Sequence, residues 1–382
     1  MIPFRWTSAH LQAIGPDRRT PLLAPRHVPR IGLNLDLWDH WPALTADGAL
    51  AVVDGGLIVI ALCAPADPDP EARHAAARLR LFHRSGTHWR DLGNLLPDGW
   101  SPGSREWAGS ALLDPATRAL TLFFTAAGAR GEVRVGYSQR LFACETVLGA
   151  DLSPQGWTDP VELVRPDDVT YQAALAGGGG IGTIKAFRDP FFFRNPAGSG
   201  DWLLFAASRA HADSGWNGLV GAARREGDRW SLAEPWADAT GLNNELERPH
   251  AIAHGGRVYL FWSTQAKVFA PDAPPAPTGL YGVVADRLGA PWRPLNGDTL
   301  VLANPVAAPA QAYSWQVLPD LSVWSFADLV GLPHPPRDGA EARHYFAGAP
   351  APVLHLMLDD DRATLVLEEV RAVPTLFGSP GR

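Results

Sequence analysis

The chain has 382 residues, 46% hydrophobic and 19% charged, enough for one large all-β domain and far beyond a small stapled scaffold. Lys and Arg number 33 against 40 Asp and Glu; the net charge of -7 argues against nucleic acid or an anionic membrane face as partner. No apolar run approaches the ~20 residues of a spanning helix, and no basic head followed by an apolar stretch marks a cleavable secretory signal at the start. The expected location is extracellular or periplasmic by a route without such a signal, with the cytoplasm as the alternative.

In chain order, apolar runs bounded by turn residues read as strands at 49–62, 120–125, 202–207, 258–263 and 353–358, while helical spacing recurs only over 70–81, after a proline. The 38 Gly and 35 Pro supply turns for many short strands, and the 15 Trp suit sugar stacking as well as an ordinary core. The segments 268–278 and 333–348 read as inter-strand loops. Cys63 and Cys144 build no framework and are expected to be buried thiols or one structural bond. Lys occurs only at 185 and 267, so Arg carries nearly all the positive charge.

A weak repeat appears when these runs are aligned by what precedes them. WDHWPALTADGALAVVDG from Trp38, EWAGSALLDPATRALTLFFT from Glu106, FRDPFFFRNPAGSGDWLLFAAS from Phe187, ERPHAIAHGGRVYLFWST from Glu247 and YSWQVLPDLSVWSFAD from Tyr313 each place a polar cluster before a strongly apolar strand. Asp39, Trp107, Asp189, Glu247 and Tyr313 mark intervals of 68, 82, 58 and 66 residues, each enough for a four-stranded blade. The pattern predicts an all-β fold, a five-bladed β-propeller over 1–382 as a single catalytic domain, with its motifs in about 35–327 and the C-terminal strands closing the ring. First strands commonly line the axis of a propeller, so the five polar clusters are expected to meet in a central funnel.

Several chemistries drop out. Gly177, Gly179 and Gly182 fit GxGxxG, but the segment leads into FRDPFFF, a strand rather than a helix, so a loop is expected and not a dinucleotide site. The 12 His show no HExxH or paired spacing for zinc, and no GxSxG elbow surrounds Ser110. Carboxylates remain: Asp39 between Trp38 and His40, Asp189 between Arg188 and Pro190, Glu247 before Arg248. One such Asp-Arg or Glu-Arg pair is ordinarily an ion pair. Three carboxylates at the starts of equivalent repeats exceed what isolated ion pairs explain, and they supply the two flanking carboxyl groups that glycosidic bond cleavage requires.

WDHWP (38–42), REWAGS (105–110), FRDPF (187–191), NNELERPH (243–250), PLNGDTLVLANP (294–305) and QAYSW (311–315) occur in family order. The chain thereby resembles glycoside hydrolase family 68, the levansucrase, inulosucrase and β-fructofuranosidase group, and its motifs look most like those of Gram-negative levansucrases. The resemblance implies Asp39 as nucleophile, Glu247 as general acid and base, and Asp189 as transition-state stabiliser. It implies a fructosyl pocket built by Trp38, Trp107, Arg188 and Arg248; Glu245, Gln265 and Tyr313 fall on loops or strand starts of the last two repeats and are expected to face the glucose half of sucrose and then the acceptor. These roles need Asp39 ionised and Glu247 protonated at working pH, which unequal surroundings can arrange.

The expected reaction is retaining fructosyl transfer from sucrose, making fructo-oligosaccharides or levan and releasing glucose, with a mainly hydrolytic β-fructofuranosidase or an inulosucrase as alternatives. The expected partners are sucrose and sugar acceptors, with no cofactor, metal, nucleic acid or membrane. Ala108 stands where many members carry Ser, Ala206 replaces polar support, and Gln265 stands where relatives often place Arg or His, which predicts a weaker acceptor grip. Asn244 stands where calcium-binding relatives carry Asp, so no calcium is implied. A non-catalytic sugar-binding propeller would have lost one of the three carboxylates, and a protein-docking propeller would lack their cluster; neither fits.

Overall fold

The computed structural model describes residues 2–32, 34–173, 184–198 and 200–366; the glycine-rich 177–182 lies outside them. The described residues form five sheets arranged as the blades of a ring. Each blade begins with one of the repeat copies: Leu35–Pro42, Arg105–Leu113, Phe187–Arg194, Glu247–His254 and Ala312–Val317. These first strands pack against one another in sequence from blade 1 to blade 5, and Leu35–Pro42 completes the circle against Ser322–Leu329 and Phe346–Pro350 of blade 5.

The second strands, such as Asp201–Ser208 and Arg257–Thr264, are apolar almost throughout because both their faces are covered by neighbouring blades. Two large apolar clusters result, one running through blades 1, 2, 4 and 5 and one through blades 3 and 4. Trp6, Trp41, Trp236, Trp262 and Trp315 are fully buried in them, so much of the tryptophan stock is core rather than sugar platform.

All five inner strands break register at the same point. The ladder slips between Leu37 and His40, Trp107 and Gly109, Arg188 and Phe191, Glu247 and His250, and Tyr313 and Gln316. A bulge bends the strand and re-aims its side chains, and here it turns each polar cluster toward the axis. Asp189, Arg248 and Ser314 accept left-handed backbone at φ of 62°, 50° and 60°, a conformation that non-glycine residues hold only where surroundings fix it.

Side chains of neighbouring strands supply that fixing. Thr125 Oγ1 accepts from Asp189 N at 2.9 Å and donates to Ala108 O at 3.0 Å; Ser263 Oγ accepts from Trp315 N at 2.9 Å. His40 and His250 each place Nδ1 within 3.0 Å and 2.9 Å of the carbonyl two residues back, and His250 Nε2 accepts from Val317 N at 2.8 Å. Burial lowers their pKa values to about 4 and about 3, so both are neutral clamps of the bulge.

The N-terminal segment runs around three blades before entering the first. Phe4–Arg5 pairs parallel with Arg229–Asp238 of blade 3, Thr20 N donates to Ala303 O of blade 4, and Leu23 N donates to Gln311 Oε1 of blade 5. Arg30 and Arg343 then meet on Asp36 at 2.6 Å each, tying blade 5 to blade 1.

Two local expectations are corrected. The helix expected over 70–81 is a 3-10 turn, Pro70–Ala75, followed by the strand Arg78–Ser85, because Arg-Leu-Arg-Leu buries every second residue against blade 1. The loop expected over 333–348 contains the helix Gly339–Tyr345, whose N-terminus Asp338 caps by accepting from Glu341 N at 2.8 Å. Cys63 and Cys144 are buried free thiols. No helix among the described residues is long and apolar enough to cross a membrane.

Candidate active site

The three carboxylates predicted from the repeat lie within electrostatic reach of one another. The charges of Asp39 and Glu247 both act on Asp189, and that of Glu247 acts on Asp39. Asp189 is buried at 6% exposure, while Asp39 and Glu247 keep part of their surface open to the funnel. Asp189 Oδ2 accepts from Arg248 N at 3.1 Å, so the bulges of blades 3 and 4 are joined through the carboxylate itself.

Two arginines organise the cluster. Arg188 Nη2 donates to Glu247 Oε1 at 2.8 Å and lies 3.6 Å from Glu245 Oε1, while its Nη1 donates to Gln139 Oε1 at 3.3 Å. Its neighbour across the ladder is Ala206, which leaves the guanidinium to these partners. Arg248 lies over the ring of Trp41 at 4.8 Å and donates to Gln316 Oε1 at 3.1 Å. Its Nη1 is buried and without a partner among the described residues, a donor suited to a sugar hydroxyl.

The Tyr313 hydroxyl donates to Glu247 Oε2, so both oxygens of that carboxylate are engaged. Trp38 is buried against Arg73, which lies 5.7 Å over its ring. Trp107 stands at the slip of blade 2, partly exposed, with Arg105 at 5.8 Å.

Electrostatics acts in opposite directions on the two working carboxyls. Burial pushes Glu247 up, but Arg188 and the Tyr313 hydroxyl outweigh it and leave its pKa below the usual range. Burial raises Asp39, and Arg248 only partly opposes it, with smaller help from Ser314 and Arg73. Asp189 is raised to about 6 by burial against the pull of Arg188 and Arg248. Glu245 is raised to about 7, by burial and then by the charge of Glu247. Glu245 and Glu247 are thus an adjacent buried pair in which burial and the neighbouring charge push Glu245 up while Arg188 and Tyr313 pull Glu247 down.

Gln265 sits at the start of the segment that follows the second strand of blade 4. It is partly exposed ahead of the 3-10 turn Ala266–Val268, and its carbonyl accepts from Val268 N at 3.1 Å. The charge from this segment that reaches Glu245 and Glu247 is that of Lys267.

Sequence reasoning also missed Arg73 and His74, whose 3-10 turn lies against Trp38, and Gln139 and Gln316, which hold the two arginines. The charged Pro-Glu-Ala-Arg-His string after Asp69 was a signal for a capped turn at the rim, and the glutamines gave none.

Three of the six motifs also do structural work. Glu106 accepts from Arg78 at 2.9 Å and Leu79 N at 2.8 Å, joining blades 1 and 2. Asn296 of the PLNG segment donates to Leu300 O and Ala363 O and accepts from Ala363 N, joining blades 4 and 5. Gln311 holds the N-terminal strap.

A sequence model of the levansucrase/invertase family, glycoside hydrolase family 68, matches residues 2–217 and 208–372. The levansucrase LscA of Pseudomonas savastanoi pv. glycinea is 29% identical, with 94% of each chain covered. Among solved structures, the inulosucrase from Halalkalicoccus jeotgali bound to kestose is 34% identical with a TM-score of 0.84, covering 95% of each chain. The levansucrase from Gluconacetobacter diazotrophicus, 21% identical with a TM-score of 0.77 over 96% of this chain and 90% of its own, shares the fold.

Proposed function

The chain belongs to glycoside hydrolase family 68, the levansucrase/invertase family, and from that premise we propose that it is a sucrose-cleaving fructosyltransferase of the levansucrase type. The observation that carries this reading is the convergence of Asp39, Asp189 and Glu247 around Arg188 and Arg248, from the equivalent bulges of three blades.

In the proposed reaction the Asp39 carboxylate attacks the anomeric carbon of the fructosyl unit. The bond from that carbon to the glucosyl oxygen breaks, and the oxygen takes a proton from Glu247. An acceptor hydroxyl then gives its proton back to Glu247 and attacks the same carbon, which releases Asp39. A sugar acceptor extends a fructan; water yields free fructose. Asp189, held by Arg248 N, accepts hydrogen bonds from fructosyl hydroxyls, and Arg248 Nη1 donates to them.

The proton requirement explains the neighbouring pair. Arg188 and Tyr313 engage both oxygens of Glu247, so an incoming glycosidic oxygen has to take over one of these contacts. Losing one raises the affinity of Glu247 for a proton, and Glu245 is the adjacent group that holds one up to about pH 7. Glu245 and Glu247 therefore act as a pair that brings one proton to the leaving group. Its loss as pH rises through about 7 sets the alkaline limb of activity, while protonation of Asp39 at lower pH sets the acid limb.

A second reading concerns linkage alone. The likeness to an inulosucrase at 34% identity favours attack by a primary hydroxyl on the anomeric side of the acceptor over the other end. Incubation with sucrose, with glucose and free fructose quantified separately and the product linkages read by methylation, tests both. Excess glucose with 2→6 linkages supports the levansucrase reading, 2→1 linkages the inulosucrase reading, equal glucose and fructose the hydrolase. No consumption of sucrose overturns all three.

A further inference from the structure

Lys185 lies just ahead of the inner strand of blade 3, half-buried, and uses all three of its donors. Its Nζ meets Gly215 O at 2.5 Å, Asn217 Oδ1 at 2.9 Å and Asn244 Oδ1 at 3.1 Å. Every acceptor is a neutral oxygen, and the three come from two separate segments that border the funnel. The chain has one other lysine, Lys267, so this ammonium is not one of a general stock of surface lysines.

The acceptors are themselves fixed. Asn217 is 2% exposed and spends its amide on Gln172 Oε1 at 3.1 Å and Arg209 O at 2.7 Å. Asn244 is 1% exposed; its backbone N donates to Val268 O, and its amide donates to Glu245 Oε1 at 3.4 Å. A side chain at Gly218 would come within 2.9 Å of the Asn244 carbonyl, so that strand fits closely against the Asn244 backbone.

On its other side Lys185 offers its carbonyl to Gln139 Nε2 at 3.1 Å, and Gln139 Oε1 accepts from Arg188 Nη1. The contacts close a ring: Arg188 to Gln139, Gln139 to Lys185, Lys185 to Asn244, Asn244 to Glu245, and Glu245 back to Arg188 at 3.6 Å.

We propose that Lys185 is a positioning residue, a tethered cation that sets the separation of Arg188 and Glu245 on the leaving-group and acceptor side of the site. It touches no reacting atom, and the inference rests on the reading of Glu245 given above. Its charge also bears on Glu245, together with Arg188 and Lys267 of like sign to it and Glu247 and Asp189 of opposite sign.

The test compares wild type, Lys185→Met, Lys185→Arg and Asn244→Ala at matched sucrose consumption, reading the transferred fraction as glucose minus free fructose, and the pH profile. In Lys185→Met and Asn244→Ala the transferred fraction is expected to fall roughly threefold to tenfold, as misplacement of an acceptor site does, while sucrose cleavage falls less. The alkaline limb of Lys185→Met moves to higher pH, because removing a positive charge near Glu245 lets it keep its proton longer; Lys185→Arg keeps the limb in place. A purely structural lysine would lower the melting temperature and leave limb and fraction unchanged, and that result overturns the proposal. If Lys185→Met does not fold, a wild-type transferred fraction in Asn244→Ala overturns it alone. Wild type that leaves sucrose intact refutes the functional reading instead.

Discussion

Blades 1, 3 and 4 and blades 2 and 5 carry the same bulge at the same point of the inner strand, and they fill it differently. The first three present Asp39, Asp189 and Glu247; the other two present Trp107 with Ala108, and Tyr313 with Ser314. Blade 2 answers with support from behind, since Thr125 links the Ala108 carbonyl to the Asp189 amide. Blade 5 answers with a phenol that binds Glu247. The ring symmetry thus creates five inward positions, and the chemistry needs charge at only three, with the remaining two holding those charges in place.

The largest effects are expected where charge is removed. Asp39→Asn, Asp189→Asn and Glu247→Gln each change volume little, and each is expected to lower turnover of sucrose by about 10³-fold or more with the melting temperature near that of wild type. Near-normal turnover in any one of them removes that blade from the reacting set and breaks the distinction between the two groups.

In blade 5, Tyr313→Phe takes a charge-assisted hydrogen bond from Glu247, worth roughly tenfold in rate. The Tyr313 hydroxyl holds the Glu247 pKa down, so its loss lets Glu247 keep a proton to higher pH, and the alkaline limb should move upward. A profile that moves downward shows that the phenol does not act on Glu247.

The smallest effect on turnover is expected in blade 2. Thr125→Val leaves the buried Asp189 amide and its bulge without an acceptor. The expected cost is about 1–3 kcal/mol of stability, read by chemical denaturation, with a loss of turnover several-fold at most. A turnover loss as deep as that of Asp189→Asn would place blade 2 among the reacting blades.

The fold was legible because apolar runs, turn residues and the spacing of polar clusters all recur with the blade. The carboxylates were legible because each stands beside the polar start of a repeat copy, although the ladders put them at different places there: Asp39 and Asp189 inside the slip and Glu247 at the last paired residue before it. The bulge was not, since a register slip depends on partners such as Thr125, Ser263 and His250 that lie far away in sequence. The helix at 339–345 was hidden by its proline-rich approach, although Asp338 three places before Glu341 was a cap signal. The order of pKa values was beyond sequence because Glu247 and Tyr313 are 66 residues apart and Arg188 reaches Glu247 from another blade. The charge of Lys267, two residues beyond Gln265, reaches Glu245 through space and had no mark in the sequence pattern.

The central claim is that Asp39 carries the fructosyl unit while Glu247 moves the proton. Glu247→Gln treated with β-fructofuranosyl fluoride tests it directly, because fluoride leaves without an acid and the stalled second step needs the missing base. The account predicts a burst of fluoride equal to the enzyme present and a fructosyl adduct on the peptide holding Asp39. An adduct on Asp189, or steady turnover with no burst and no adduct, would contradict it.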